Sequence, residues 1–313
     1  MTEEKGNRSD WAPERAIEIA AGTPPGGGLD RVARALAEVV TEAKLAEVPV
    51  SVVNIPGDGA RRVWTHVDRH PGDGHLVSIS SPNLTTDHLV GLASFDHSRY
   101  VPIAILLTEY IAFAVRADSP LRTGSDLIER LAANPGGVTV ALSTALGNPN
   151  HIAVAKVTRQ AGGDINAPRI RVFDTALDAV ADVVDGHAEV GAVTAASVAK
   201  ELAAGRVRLV AISAPQRLPA PFADTPTWTE QSVDCVVGAW RGVTGPSGLG
   251  PPQVAFWECL LRNVTSDARW QAALARHCWS PMYVDGEAMH TYLARERDEM
   301  RALLDELGLL RSA

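Results

Sequence analysis

"IEIAAGTPPGGGLDRVARALAEVV" (residues 17–40) opens on a short apolar run, breaks at two prolines and three glycines, and resumes at helical spacing from Leu29. A strand, a glycine turn and an amphipathic helix make one βα unit. Glycine allows φ > 0 and lets a ligand approach the backbone closely, and the first N–H groups of the helix have no intrahelical partner. A turn of this design favours an anion, although a tight turn without any ligand fits the same residues. The dinucleotide pattern G-x-G-x-x-G fits only as far as Gly26 and Gly28, because Arg31 occupies the third glycine position, and no G-K-[ST] follows. Nucleotide phosphates are therefore not the natural occupant. Asp30, in the first helical turn, complements the helix dipole, with a catalytic role as the alternative reading.

Working outward, short β-branched runs alternate with longer helical patterns. Strands are expected at residues 17–22, 50–55, 76–80, 138–142, 169–173, 190–194 and 207–213, and amphipathic helices at 29–40, 177–184 and 289–307. The alternation predicts βα units on mostly parallel sheets. "VPIAILLTEYIAFAVRADSP" from Val101 is too long and apolar for one strand, and reads as two strands or a crossover between lobes. A second change of texture comes at "VVGAWRGVTGP" (residues 236–246). Two crossings predict a discontinuous first α/β lobe, residues 11–112 with 238–313, and an inserted second lobe, residues 113–237. Residues 1–10 read as disordered.

With 313 residues and 46% hydrophobic content, the chain can bury a large core. Its 29 Lys and Arg against 37 Asp and Glu give a net charge of −8, the wrong sign for gripping nucleic acid. No apolar run reaches the length of a membrane helix, and the first residues lack the pattern of a secretory signal. Cys235, Cys259 and Cys278 are an odd number at wide spacings, which predicts buried free thiols rather than a metal or redox motif. No cofactor motif or metal-ligand cluster is present, so neither a cofactor nor a metal is expected.

A second turn of similar design follows Val138, in "VTVALSTALGNPNHIAVAKV". Ser143 and Thr144 leave a strand end, and Asn148 with Pro149 reads as an N-cap followed by proline at the first helical position. His151 in that helix is either a ligand anchor, an acid or base, or a packed histidine. Ligands collect at the carboxyl ends of strands in open α/β sheets, so two such turns on facing lobes would enclose a cleft.

"PPGGGLDRVARAL", "VVNIPGDGA", "EYIAFAVRADSPLRT", the loop 143–151, "DTPTWTEQSVD", "WRGVTGP" and "LLDELGLL" stand in an order that resembles the substrate-binding proteins of tripartite tricarboxylate transporters, the Bug or TctC-type receptors. The resemblance covers residues 17–310, and "PGGG-x-D-x-x-AR" with "WRGV" is most similar to the tricarboxylate-binding branch. It implies a type II periplasmic-binding-protein fold: two α/β lobes, two crossovers, and a di- or tricarboxylate such as citrate held in the cleft. The resemblance places Pro25, Gly26, Gly27, Gly28 and Leu29 around one carboxylate, with N–H groups facing it. It adds Ser80, Ser81 and Asn83 from a second loop of the first lobe. From the second lobe it adds Ser143, Thr144, Asn148, His151, Asp174, Thr175 and Thr194. The chain departs from the family in "FDTALD" and "VTAAS", where glycine or serine is common, and in "GNPNH", which replaces a glycine-rich turn.

A ligand of charge −2 or −3 needs a local cation, since a helix N-terminus supplies only about half a unit. Arg241 is the candidate beside the cleft, with a hinge salt bridge as the equal alternative. Trp240 reads as packing between lobes. The resemblance implies a location outside the cytoplasmic membrane and membrane subunits of the transporter as partners. The lack of a signal and the unpaired cysteines suit a cytoplasmic protein instead. That second reading admits an isomerase or lyase acting on a polycarboxylate, with His151, Asp30 or Asp174 as base.

Overall fold

The computed structural model describes residues 11–94 and 97–311. The expected disorder of residues 1–10 falls outside them. In chain order the elements are β1 (Ile17–Ala21), α1 (Gly28–Glu42), β2 (Val50–Asn54), α2 (Arg61–Asp68), β3 (Leu76–Ser80), α3 (Asn83–Leu89) and β4 (Val101–Arg116). Then come α4 (Gly124–Ala133), β5 (Thr139–Ser143), α5 (Pro149–Gln160), β6 (Arg169–Phe173), α6 (Ala176–Val184), β7 (Val190–Thr194), α7 (Ala195–Ala203) and β8 (Val207–Ile212). The chain closes with β9 (Gly238–Gly245), α8 (Pro251–Ser266), α9 (Ala268–His277), β10 (Ser280–Asp285) and α10 (Gly286–Glu306). All seven expected strands form, each within one residue of its expected ends.

Of the two alternatives for the apolar run after Val101, the crossover is the one that forms, but a single strand makes it, which corrects the reading that the run is too long for one. Its first ten residues pair antiparallel with β9, from Val101↔Gly245 to Tyr110↔Gly238, and with β10 on the other side. From Ile111 onward it pairs instead with β7 and β8. It therefore belongs to two sheets and is buried in both, which is why almost every residue is apolar. The change of partner lies between Tyr110 and Ile111, so Ile111 and Ala112, expected in the first lobe, pair with the second.

Around this strand the two lobes are built alike. In the first, β1 pairs parallel with β2 and β3, and β3 joins β9 antiparallel. In the second, β5 pairs parallel with β6 and β7. The first-lobe core gathers Ile19, Val32, Leu36, Val63, Trp64, Trp257 and Trp270. Two clusters cover the faces of the second sheet, one around Phe113, Val154 and Trp228, the other around Val180, Val193 and Phe222.

α10 does not stay in the lobe where it begins. Met289 and Leu293 pack on Trp240 and Ile105 of the first lobe, whereas Met300, Leu304 and Leu307 join the second-lobe cluster of Val154 and Val157. Glu306 pairs with Arg159 of α5, while the Arg311 N–H donates back to Leu89 O of α3, in the first lobe, at 2.8 Å. Of the cysteines, Cys235 is buried and its thiol is pushed up to about 12 by burial, but Cys259 is exposed, against the expectation for all three.

Trp240, expected to pack between the lobes, packs instead within the first lobe between Ile105 and α10, and its Nε1–H donates to both oxygens of Glu296 on α10, at 2.8 and 2.7 Å. Glu296 is 7% exposed and has no ion pair among the described residues. Burial is the main cause that pushes its carboxyl up to about 7; the Trp240 bond pulls down and Glu299 adds to the rise. The unfolded chain releases this proton near pH 4.5 and the folded protein near 7, so the folded state holds more protons between them. The favourable contribution is complete below about pH 4.5 and is lost as pH rises through 7. Glu296→Gln, which keeps an acceptor for Trp240, is expected to remove that loss. Urea midpoints from pH 4.5 to 8 should fall for the wild type relative to the variant, and parallel curves would contradict the assignment.

Candidate functional site

The strand registers bring two carboxyl edges face to face. Ser80, at the end of β3, is level with Gly242 of β9, and Gly242 is level with Ile105 of β4. Thr194, at the end of β7, is level with Ile111 of β4, and the parallel β5 and β6 end beside it at Ser143 and Phe173. Six residue steps along β4, about 20 Å at the rise of a strand, separate the two edges. Thr108, Glu109, Tyr110, Trp240 and Arg241 span the interval, and the turns after β1, β3, β5, β6 and β7 converge over it.

The glycine turn is shaped first by its own hydrogen bonds. Gly26, at φ +82°, donates its N–H to Asp30 Oδ2 at 2.7 Å, and Gly27 donates to Pro24 O at 2.9 Å. Pro25 has no N–H at all. These three cannot offer the amides expected of them, which corrects the reading of the turn. Gly28 and Leu29 remain: their first-turn N–H groups have no partner among the described residues. A Cβ on Gly28 would meet nothing within 4 Å, so open space adjoins these amides.

Asp30 holds the turn together. It is 1% exposed and accepts from Gly26 N–H, Arg34 Nε and Asn54 Nδ2, while its own N–H donates to Thr23 Oγ1. Burial raises its pKa, but the bonds from Arg34, Asn54 and Gly26 outweigh it and keep the carboxyl below its ordinary value. Its lone pairs are spent, so the catalytic reading of Asp30 fails on geometry.

In the next loop, Ser80 is fully buried with its hydroxyl 2.7 Å from Thr244 Oγ1, and Asn83 donates to Asp87 Oδ1 at 3.2 Å. Asp87 also takes Arg61 Nη1 at 3.0 Å; burial chiefly pushes it up to about 6, against the pull of Arg61. Ser80 and Asn83 are thus tied into the first lobe, whereas the Ser81 hydroxyl has no partner among the described residues.

The second-lobe turn divides in the same way. Asn148 caps α5 through Oδ1, which accepts from His151 N–H, and its Nδ2 donates to Ser143 O and Thr144 Oγ1. His151 is 6% exposed; Nδ1 accepts from Gly147 N–H at 3.0 Å, and burial lowers its pKa to about 4. At neutral pH the ring is uncharged with its proton on Nε2, and the acceptor nitrogen a base would use is engaged. Ser143 accepts from Asn150 Nδ2, which leaves its O–H free to donate. Thr144 sits at φ +72°, a strained conformation for a β-branched residue, with its side chain exposed. Thr175 caps α6 and its hydroxyl donates to Asp178; Thr194 bonds Ser197; Asp174 is exposed.

Arg241 is the other correction. Its Nε and Nη2 reach Glu109 Oε2 at 2.9 and 2.7 Å, and both side chains are largely buried. The hinge salt bridge is what the strand pair contains, and the guanidinium is not free for a ligand. Three residues near these turns and the crossing escaped the sequence reading as site candidates: Arg31, Glu109 and Asn150. Their signals were a cation three positions after Gly28, on the same helix face, and a lone carboxylate inside the apolar run of β4; Asn150 gave none. Among the described residues no group of three His, Cys, Asp or Glu side chains is placed to hold a metal. A cavity of about 490 Å³ lies on the face of α2 turned from the core, between Ile55, Arg61, Arg62, His66, Arg69 and Leu92.

This is the architecture of a two-lobe periplasmic binding protein. The chain belongs to the tripartite tricarboxylate transporter receptor family, TctC, whose model matches residues 32–309. Protein BugT of Bordetella pertussis is 24% identical over 307 residues, 96% of this chain and 91% of that protein. A crystal structure of a TctC solute-binding protein from Polaromonas superposes with a TM-score of 0.72 at 29% identity, covering 94% of this chain and 99% of that one. MatC from Rhodopseudomonas palustris, solved with bound malate, has the same fold at a TM-score of 0.77 and 20% identity, covering 94% and 99%.

Two variants separate the free amides from the structural ones. A Cβ on Gly27 would sit 2.6 Å from Thr23 Cβ and Oγ1, so Gly27→Ala is expected to destabilise the ligand-free protein by roughly 1–3 kcal/mol, and Gly28→Ala by far less. Arg241→Ala, which strands Glu109, is expected to cost roughly 3–5 kcal/mol. Chemical denaturation of the three proteins decides both points; an Arg241→Ala protein as stable as wild type would free this arginine for a ligand.

Proposed function

We propose that the protein is the solute receptor of a tripartite tricarboxylate-type transporter and binds a small di- or tricarboxylate, citrate-like in character, between its lobes. The observation that carries this reading is the pair of facing carboxyl edges, with the unpartnered amides of Gly28 and Leu29 opening onto free space on one side and the hydroxyls of Ser143 and Thr144 on the other. Amides at a helix N-terminus and free hydroxyl donors suit carboxylate oxygens. The malate held by MatC supports the same ligand class. The division into residues 11–112 with 238–313, and 113–237, serves this reading as a first approximation, adjusted at β4 and α10.

The family favours action outside the cytoplasmic membrane, with membrane subunits of a transporter as partners; the cytoplasmic alternative finds no support there. Among the described residues no helix is long and apolar enough to cross a membrane. Of the three candidate bases of the isomerase or lyase reading, Asp30 and the acceptor nitrogen of His151 are engaged, which leaves the exposed Asp174 alone to carry it.

Thermal denaturation in the presence of citrate, malate, succinate and acetate tests the reading. At least one of the first three is expected to raise the midpoint in a concentration-dependent way, acetate to have little effect, and NMR of the recovered solute to show it unchanged. Gly28→Ala is expected to weaken the best ligand by about 1–3 kcal/mol, because a methyl group would intrude where a carboxylate approaches the amides. No response to any polycarboxylate, or an affinity that Gly28→Ala leaves intact, would reject this site.

A further inference from the structure

The charges around the glycine turn and the β4–β9 crossing do not cancel. Asp30 is matched by Arg34, and Glu109 by Arg241. Arg31 has no ion pair among the described residues, and its Nε is buried without a hydrogen-bond partner. It lies one turn after Gly28, and a helical side chain leans toward the N-terminus, which is the direction of the two open amides. One uncompensated positive charge therefore adds to the positive end of α1.

The second open group has the opposite character. Glu109 is 2% exposed, and Arg241 satisfies only Oε2; Oε1 is buried with no partner. An unsatisfied carboxylate oxygen inside a protein is costly, and a donor that reaches it recovers the cost. Glu109 stands one residue before Tyr110, where β4 leaves one sheet for the other, so relative movement of the lobes changes its surroundings most directly. Arg31 and Glu109 also share a neighbour. The ion pairs Arg269–Glu42 and Arg276–Glu38 lay α9 antiparallel along α1, so His277 at its end faces the first turns of α1. Burial, then Arg276 and Arg31, hold the His277 imidazole below its ordinary pKa, while Glu109 and Glu38 pull the other way.

We infer that the cleft selects acids bearing both a carboxylate and a hydrogen-bond donor, a hydroxyl or an ammonium: Arg31 with the Gly28 and Leu29 amides takes the carboxylate, and Glu109 Oε1 accepts from the donor. Arg31, not Arg241, is then the cation that balances the ligand. The inference rests on the carboxylate-receptor reading and names which carboxylates the site prefers.

Matched pairs that differ by one hydroxyl test it: L-malate against succinate, and citrate against tricarballylate, by titration calorimetry at pH 7.5. In at least one pair the hydroxylated acid is expected to bind about tenfold or more tightly. Arg31→Gln is expected to weaken both members of that pair by a similar factor, about tenfold. Glu109→Gln, which turns an amide N–H₂ toward the donor, is expected to erase the preference while the deoxy acid binds no more weakly. Equal affinities within each pair in the wild type would overturn the role of Glu109 and leave the receptor reading standing, and this comparison decides even if Glu109→Gln fails to fold. Unchanged affinities in Arg31→Gln would overturn the role of Arg31. If none of the four acids binds, the receptor reading fails and this inference with it.

Discussion

The antiparallel ladder between β4 and β9 is the constraint on which the molecule depends. From Val101↔Gly245 to Tyr110↔Gly238 the two strands stay together, so both chain crossings between lobes fall side by side. This fixes where each parallel sheet ends relative to the other, and so the width of the interval between their carboxyl edges. It also puts Glu109 beside Arg241, a pair that anchors the ladder at the point where it leaves the first sheet. Losing either partner would leave a buried charge where the chain crosses between the lobes.

The strands of the two sheets were legible because each is a short apolar run bounded by turn residues, and βα alternation then implies parallel pairing. β4 was not, because composition reports burial and not partners. A strand buried first by β9 and β10 and then by β7 and β8 reads as uninterrupted apolarity, with no local mark of the exchange at Tyr110. β10 was missed for the opposite reason: "SPMYVD" holds a proline, is half-exposed over most of its length, and is a strand only because β4 offers it an edge.

At the site, the sequence identified turns correctly but not which of their groups were already engaged. Pro24, Asp30 and Thr23 consume the donors and acceptors of their own turn, as Asn148 does in the second lobe, and no pattern of residue types distinguishes a spent amide from a free one. The arginine problem is similar. Arg241 was conspicuous in "WRGV", yet its partner Glu109 lies 132 positions earlier and meets it only through the ladder. Arg31 was noticed only as the residue that broke a nucleotide motif, although its spacing from Gly28 already put it on the helix face beside the open amides.

α10 adds a mechanical consequence. A body attached by two adjacent strands can swing freely about the line they define. A third attachment away from that line, where Met300, Leu304 and Leu307 grip the second lobe and Met289 and Leu293 the first, removes that freedom. Leu304 leaves no room even for a β-carbon on Gly147, which would come within 2.8 Å of it. Separation of the lobes must then proceed either as a sliding of the second lobe past the end of the helix or as a peeling of its last turns, and the resistance to it scales with the apolar surface that either path exposes. The stiffness of the cleft is thus set by the end of the chain farthest in sequence from the glycine turn.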